Sequence, residues 1–267
     1  MSGLVRGLLS DVTYGVSRLT GGAHRAGQVR LLTYHRVTDA HPDDRLCIPV
    51  QRFEAQMRWL QEAGYRTVSY ADATAWVADG RALPERALVL TFDDGFEDNF
   101  VHARPAMERH GLRGIFFVPS GFIQSATDAH APADRPMSWT QLRQLVAAGH
   151  EIGGHSVTHR KLAEIPPAEV PGEARECKEA LERGVGASAA FFCYPAGSYD
   201  AHVKRCVQEA GWRGACTVKP GPVRRGDDPF ELTRTEISAF DTLWDFQKKL
   251  AGAYDWLHAA WQQVRRS

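Results

Sequence analysis

The chain has 267 residues, 43% of them apolar and 24% charged, and its formal net charge is zero. That length suits one large domain or two small ones, and a neutral balance without a long basic run gives no electrostatic case for nucleic acid. Cys47, Cys177, Cys193, Cys206 and Cys216 are widely spaced and form no C-x-x-C pair, so neither a disulfide framework nor a zinc ribbon is indicated and reduced thiols fit best.

Leu4, Val5, Leu8, Leu9, Val12, Val16 and Leu19 recur at helical spacing, with Arg6 and Arg18 between them. The spacing predicts a helical N-terminal segment, residues 1–28, that either packs on the domain or lies on a membrane surface. The sequence holds no apolar run of about 18 residues that could span a bilayer and no apolar core followed by a cleavage site at its start. The expectation is therefore a cytoplasmic protein, with peripheral contact at the inner membrane surface as its extension. Residues 29–267 read as one domain of strands alternating with helices. Val29 to Tyr34 is a strand, and Phe53, Met57, Leu60 and Ala63 mark one helix face. Ala87 to Phe92 is a strand, Phe100 to His110 a helix, and Gly114 to Ser120 a strand again. Ile123 to Met137 is a long irregular surface loop of the kind that edges binding grooves. Ser138 and Gln141 fit a capping box for a helix running to about Ala148. A short strand at Glu151 to Gly153 precedes a polar helix from Ala168 to Arg183. "AAFFCYP", "GACTV" and "ELTRTEIS" are strands, with a helix from Ala201 to Ala210 after the first, and Phe240 onward is helical to the end. This alternation implies a mainly parallel sheet, and about seven strands could close into a barrel.

In such a fold, chemistry gathers at the C-terminal strand ends. The first strand ends in Tyr34-His35 and another in Asp93-Asp94-Gly95. A later segment carries His155 and His159, four apart, which on one helical turn would share a face. Tyr194-Pro195-Ala196-Gly197 ends a further strand, and the last delivers Arg234. A His-x-x-x-His pair alone is weak, and Asp-Asp-Gly alone is most often a turn. Together they complete a two-histidine, one-carboxylate set that leaves metal positions open, as catalysis requires.

On these residues the chain resembles the polysaccharide deacetylase family, the NodB-homology domain of carbohydrate esterase family 4. Thr91-Phe92-Asp93-Asp94-Gly95, His155-Ser156-Val157-Thr158-His159 and Tyr194-Pro195-Ala196-Gly197 carry the resemblance. "LLTYHRV" followed by "FEAQMRWLQEAGYRTVS" resembles the poly-N-acetylglucosamine deacetylase branch. The resemblance spans about Val29 to Ile237. It implies a distorted (β/α) barrel, a divalent cation, and removal of N-acetyl or sometimes O-acetyl groups from saccharides. Asp94, His155 and His159 would hold the cation, zinc first, with cobalt, nickel and manganese as alternatives. Asp93 would be the general base, and the Ala196 N–H an oxyanion donor in a turn that Gly197 makes possible.

The chain departs from the family pattern twice. Many members carry arginine where Cys193 stands, and a late Leu-x-His where this chain reads Leu232-Thr233-Arg234. Arginine cannot serve as a general acid. His35 is the replacement by position, against the plain reading of a core histidine. Arg234 could orient Asp93, against the plain reading of a solvated strand end. Trp139 is a candidate sugar platform or a core residue, and His150 reads as structural. A catalytically silent carbohydrate-binding domain and a non-haem iron oxygenase stand as the competing function classes.

Overall fold

Strands whose two faces are both covered read as unbroken apolar runs, and the chain supplies them one after another. In the computed structural model, residues 27–123 and 134–255 are described. β1 (Gln28–Tyr34) is followed by β2 (Arg36–Val37) and β3 (Cys47–Ile48), α1 (Val50–Glu62), β4 (Arg66–Thr67), α2 (Tyr70–Asp79) and β5 (Ala87–Phe92). A π turn over Asn99–Ala103 runs into α3 (Arg104–Arg109), then β6 (Gly114–Val118), α4 (Trp139–Ala147), β7 (Glu151–Gly154) and α5 (Val170–Val185). β8 (Phe191–Cys193), α6 (Ala201–Glu209), β9 (Gly214–Pro220), β10 (Val223–Arg224), β11 (Leu232–Glu236) and α7 (Leu243–Leu250) complete the order.

The barrel closes through β1. It pairs in parallel with β5 on one side and β11 on the other, and the path β5-β6-β7-β8-β9-β11 joins them. The ring is therefore seven parallel strands in a single domain. β10 adds to the start of β1 in antiparallel, and β4 adds to the start of β5. The two-residue strands were not expected, because two residues cannot display a period.

Strand alternation divides the core into two clusters. Val29, Leu31, Val89, Ile115, Phe117, Phe191, Cys193, Cys216 and Leu232 fill the barrel. Leu32, Tyr34, Leu88, Leu90, Phe92, Phe116, Ile152 and Phe192 point outward to the helices. α2 closes the floor at the strands' N-terminal ends. Its Tyr70 ring lies 4.6 Å from that of Phe191 and 5.7 Å from that of Phe117, and its peptide N–H donates to Glu151. Ser69, Ser138 and Thr242 cap α2, α4 and α7, the last two through full capping boxes.

Four expectations shift. Gln28 belongs to β1, so the N-terminal segment ends before residue 28. Residues 1–26, which carry the Leu4–Leu19 spacing, lie outside the described residues, as do 124–133 of the long loop and 256–267. The polar helix occupies Val170–Val185 rather than Ala168 to Arg183. The last described helix starts at Leu243, where the Thr242 cap sets it, rather than at Phe240, and gives way to turns after Leu250. The helix expected from Phe100 opens with the π turn.

Candidate metal centre and base

The same alternation that fills the barrel aims the chemistry. Thr91 faces inward, so Asp93, two residues on, faces inward as well. Thr33 and His35, Gly153 and His155, and Leu232 and Arg234 follow the same parity. Four strands thus bring Asp93, His35, His155 and Arg234 to one mouth.

Arg234 and Asp93 form a buried pair, each 2% exposed. The guanidinium grips the carboxylate with both arms, Nη1 to Oδ1 and Nη2 to Oδ2, at 2.7 Å each. Its remaining N–H groups go to the Thr217 carbonyl, the Thr91 hydroxyl and the Cys193 sulfur, at 2.9, 3.1 and 3.1 Å. All five donors are used, which a fork geometry allows and a lysine could not match. The Cys193 thiol donates to Asp93 Oδ2 at 3.5 Å. Burial opposes ionisation of Asp93, but the charge and hydrogen bonds of Arg234 outweigh it and hold the carboxyl below its ordinary range.

Asp94 follows in the left-handed region, φ 70°, which aspartate tolerates better than most residues. Gly95 repeats that φ, and a Cβ there would stand 2.8 Å from Val118 Cγ1. The double turn sends Asp94 away from Asp93 and toward two imidazoles. Asp94 Oδ1 lies 3.4 Å from His155 Nε2 and 3.0 Å from His159 Nε2. Tetrahedral zinc with bonds of about 2.0–2.1 Å puts its ligands about 3.3 Å apart, so the donor set fits such an ion. His155 donates Nδ1–H to the Cys193 carbonyl at 2.7 Å, which leaves Nε2 free to ligate. Burial alone would raise the pKa of Asp94, yet its hydrogen bonds from His155 and His159 hold it well below the carboxylate range. A second grouping, Asp93, His155 and Cys193, also converges. Arg234 already holds that aspartate, and burial pushes the thiol pKa up, away from the thiolate a metal needs.

The helical turn expected for His155 and His159 is absent. The pair lies on a loop after β7, with Ser156 at φ 63° and His159 at φ 58°. Two left-handed residues, not an i, i+4 step, bring the rings to 4.8 Å. Glu173, on α5, accepts from this loop: Val157 N–H at 2.8 Å, Thr158 N–H at 2.9 Å and the Thr158 hydroxyl at 2.5 Å. Arg160 adds a further bond at 3.0 Å.

His35 stands across from the base, its Nε2 4.0 Å from Asp93 Oδ2, with Nδ1 buried and without a hydrogen-bond partner. Asn99 fixes its backbone by donating to the His35 carbonyl at 2.8 Å. After β8, Pro195, Ala196 and Gly197 form a tight turn. Ala196 sits exposed at φ 52°, and Gly197 at φ 65° packs so close to Val218 that a Cβ would stand 2.3 Å from its Cγ2. Two candidates for saccharide contact are engaged in packing. The Tyr194 ring is fully buried, stacked at 4.6 Å on Tyr199. Trp139 packs over Gly184, where an added Cβ would meet its ring at 2.0 Å.

The family model described as polysaccharide deacetylase matches residues 80–215, about half the chain. The chain belongs to the polysaccharide deacetylase family. A Bacillus subtilis protein named "Putative polysaccharide deacetylase YxkH" is 23% identical over 214 residues, covering 80% of this chain and 73% of that one. The Escherichia coli poly-beta-1,6-N-acetyl-D-glucosamine N-deacetylase is 27% identical over 43% of this chain, a match that spans only 18% of the relative. Among solved structures, the Streptococcus pyogenes deacetylase PplD in complex with acetate superposes with a TM-score of 0.75 at 18% identity, covering 84% of this chain and 98% of that one. At that identity the likeness carries the fold.

Within this family fold, the sequence had marked the strand-end residues. It missed Glu173 and the Cys193 carbonyl that orients His155. A signal existed for the first. Glu173 falls on the apolar stripe of Val170, Ala174, Cys177, Leu181 and Val185, where a carboxylate needs partners.

Proposed function

We propose that this family member is a metal-dependent hydrolase that removes N-acetyl groups from sugar residues of a polysaccharide, oligosaccharide or glycolipid. The observation that carries the reading is Asp94, His155 and His159 converging beside a separately held, charged Asp93. Asp94, His155 and His159 would hold a divalent cation, zinc by first choice, which would supply Lewis-acid chemistry for the acetamide carbonyl and a more acidic water. The name of the Escherichia coli relative supports N- over O-acetyl substrates.

The chain's own residues supply the rest. Asp93 takes a proton from the attacking water. Arg234 keeps it ionised and aimed, at the expense of basicity, which is why an acidified water suits it. The N–H of Ala196, an exposed residue of the turn, stabilises the charge that develops on the carbonyl oxygen. His35 protonates the departing amine, since an amide anion is a poor leaving group and Arg234 holds the late-motif position. For place of action, we infer the cytoplasmic face of a membrane, from the Leu4–Leu19 spacing with Arg6 and Arg18 set between the apolar positions.

The test is acetate release from chitin oligomers and from poly-β-1,6-N-acetylglucosamine, with and without a chelator. Release that chelation abolishes and zinc restores is expected. Saccharide binding without release under any metal would replace this reading with a silent binding domain.

A further inference from the structure

We propose that Glu173 is a positioning residue for the metal site, acting through the loop that carries His155 and His159. The inference rests on the metal reading above. Ser156 and His159 both hold left-handed conformations, which cost an L residue free energy and persist only where surrounding contacts impose them. Those contacts come from two sides. The turn after β6 grips the loop through Ser120 N–H to the Ser156 carbonyl at 3.0 Å and Gly121 N–H to the Val157 carbonyl at 2.9 Å. From the other side Glu173 takes four donors on one carboxylate, two of them the consecutive peptide N–H groups of Val157 and Thr158. Within the loop, His159 N–H donates to the Ser156 hydroxyl at 2.9 Å.

Glu173 is 5% exposed, so nearly all of its hydrogen-bonding capacity goes to this segment. It is also acceptor-only when ionised, which suits a nest of N–H donors. Glutamine of the same shape would place an NH2 group against one of them. The imidazole of His159 would then be free to leave the position that lets it share Asp94 with His155. His155 would be disturbed less, because the Cys193 carbonyl holds its ring independently.

The experiment titrates the metal-free full chain with Co2+ and follows its visible absorption, for wild type, Glu173→Gln, His159→Ala and the double variant. Urea unfolding of each metal-free protein runs alongside. Loss of an orienting partner weakens metal binding about ten- to a hundredfold. That loss, with altered ligand-field bands, is expected for Glu173→Gln in the wild-type background. With His159 already removed, the same substitution should change affinity less than about twofold, because the two act through one ligand. Thr158→Val removes the hydroxyl, and with it the bond to Glu173 and the one accepted from Arg160 Nε at 3.0 Å, while both peptide N–H bonds to Glu173 stay; it keeps the test open if Glu173→Gln does not fold. It should weaken Co2+ binding roughly two- to tenfold, and unchanged binding would overturn the proposal. Equal losses for Glu173→Gln in both backgrounds would also overturn it. A wild-type chain that binds no Co2+ would bring down the metal reading itself, whereas wild-type binding matched by Glu173→Gln would remove this inference alone.

Discussion

Arg234 spends all its donors around Asp93, and that sets what each substitution should do. Arg234→Met strands a buried carboxylate, a change that costs roughly 3–5 kcal/mol. Urea unfolding should show this loss, and adding Asp93→Asn should recover part of it by removing the stranded charge. Asp93→Asn alone should leave Co2+ or Zn2+ content unchanged while abolishing acetate release. Asp94→Ala, His155→Ala and His159→Ala should each weaken metal binding instead. Metal analysis paired with an acetate assay separates the two classes, and near-normal turnover by Asp93→Asn would refute the base assignment. His35→Ala should lower kcat about a hundredfold or more with metal content intact. Nearly full kcat in the variant would leave Asp93 as both base and acid.

At the scale of elements, β6, β7 and α4 meet around His150, which opens β7 from the turn after α4. Its Nδ1 accepts from the Gly114 N–H at 3.2 Å, and its side chain is buried. Burial first, and Arg113 second, lower its pKa to about 4. The folded ring is thus neutral where the unfolded one, at about 6.5, begins to take a proton. Between those values the unfolded state binds more protons, so stability rises with pH. The His150 contribution is complete above pH 6.5 and is lost as pH falls through 4, in total about 3 kcal/mol. His150→Gln should flatten the stability curve in that window, read from urea midpoints at pH 4, 5, 6 and 7. The long elements were legible because each ring strand is an apolar run and each helix shows a stripe or a cap, as at Ser138. The two-residue strands, the π turn before α3 and the left-handed loop from His155 to His159 were not. In that loop a spacing of four mimics a helix, while the backbone signs that set the geometry leave no mark in residue type. Asp93 and Arg234 were legible as strand ends, and their pairing as one of the two readings of Arg234, which the two 2.7 Å bonds bear out; the burial and two-armed geometry of the pair were not legible, since parity and ring closure both had to be known.

For the whole molecule, the ring closes only when β11 docks against β1 and β9. Its position in the chain has a consequence for how the protein becomes competent. Asp94, His155 and His159 all lie on loops that precede β8 in the chain, whereas the arginine that charges and aims Asp93 arrives on the last strand of the ring. The proposed cation ligands are therefore all synthesised before the arginine that holds the proposed base. In refolding from urea, the Co2+ absorption of the full chain should return with acetate release or ahead of it, and never behind it. Turnover should then report completion of the barrel, since the proposed base gains its arginine only with the last strand.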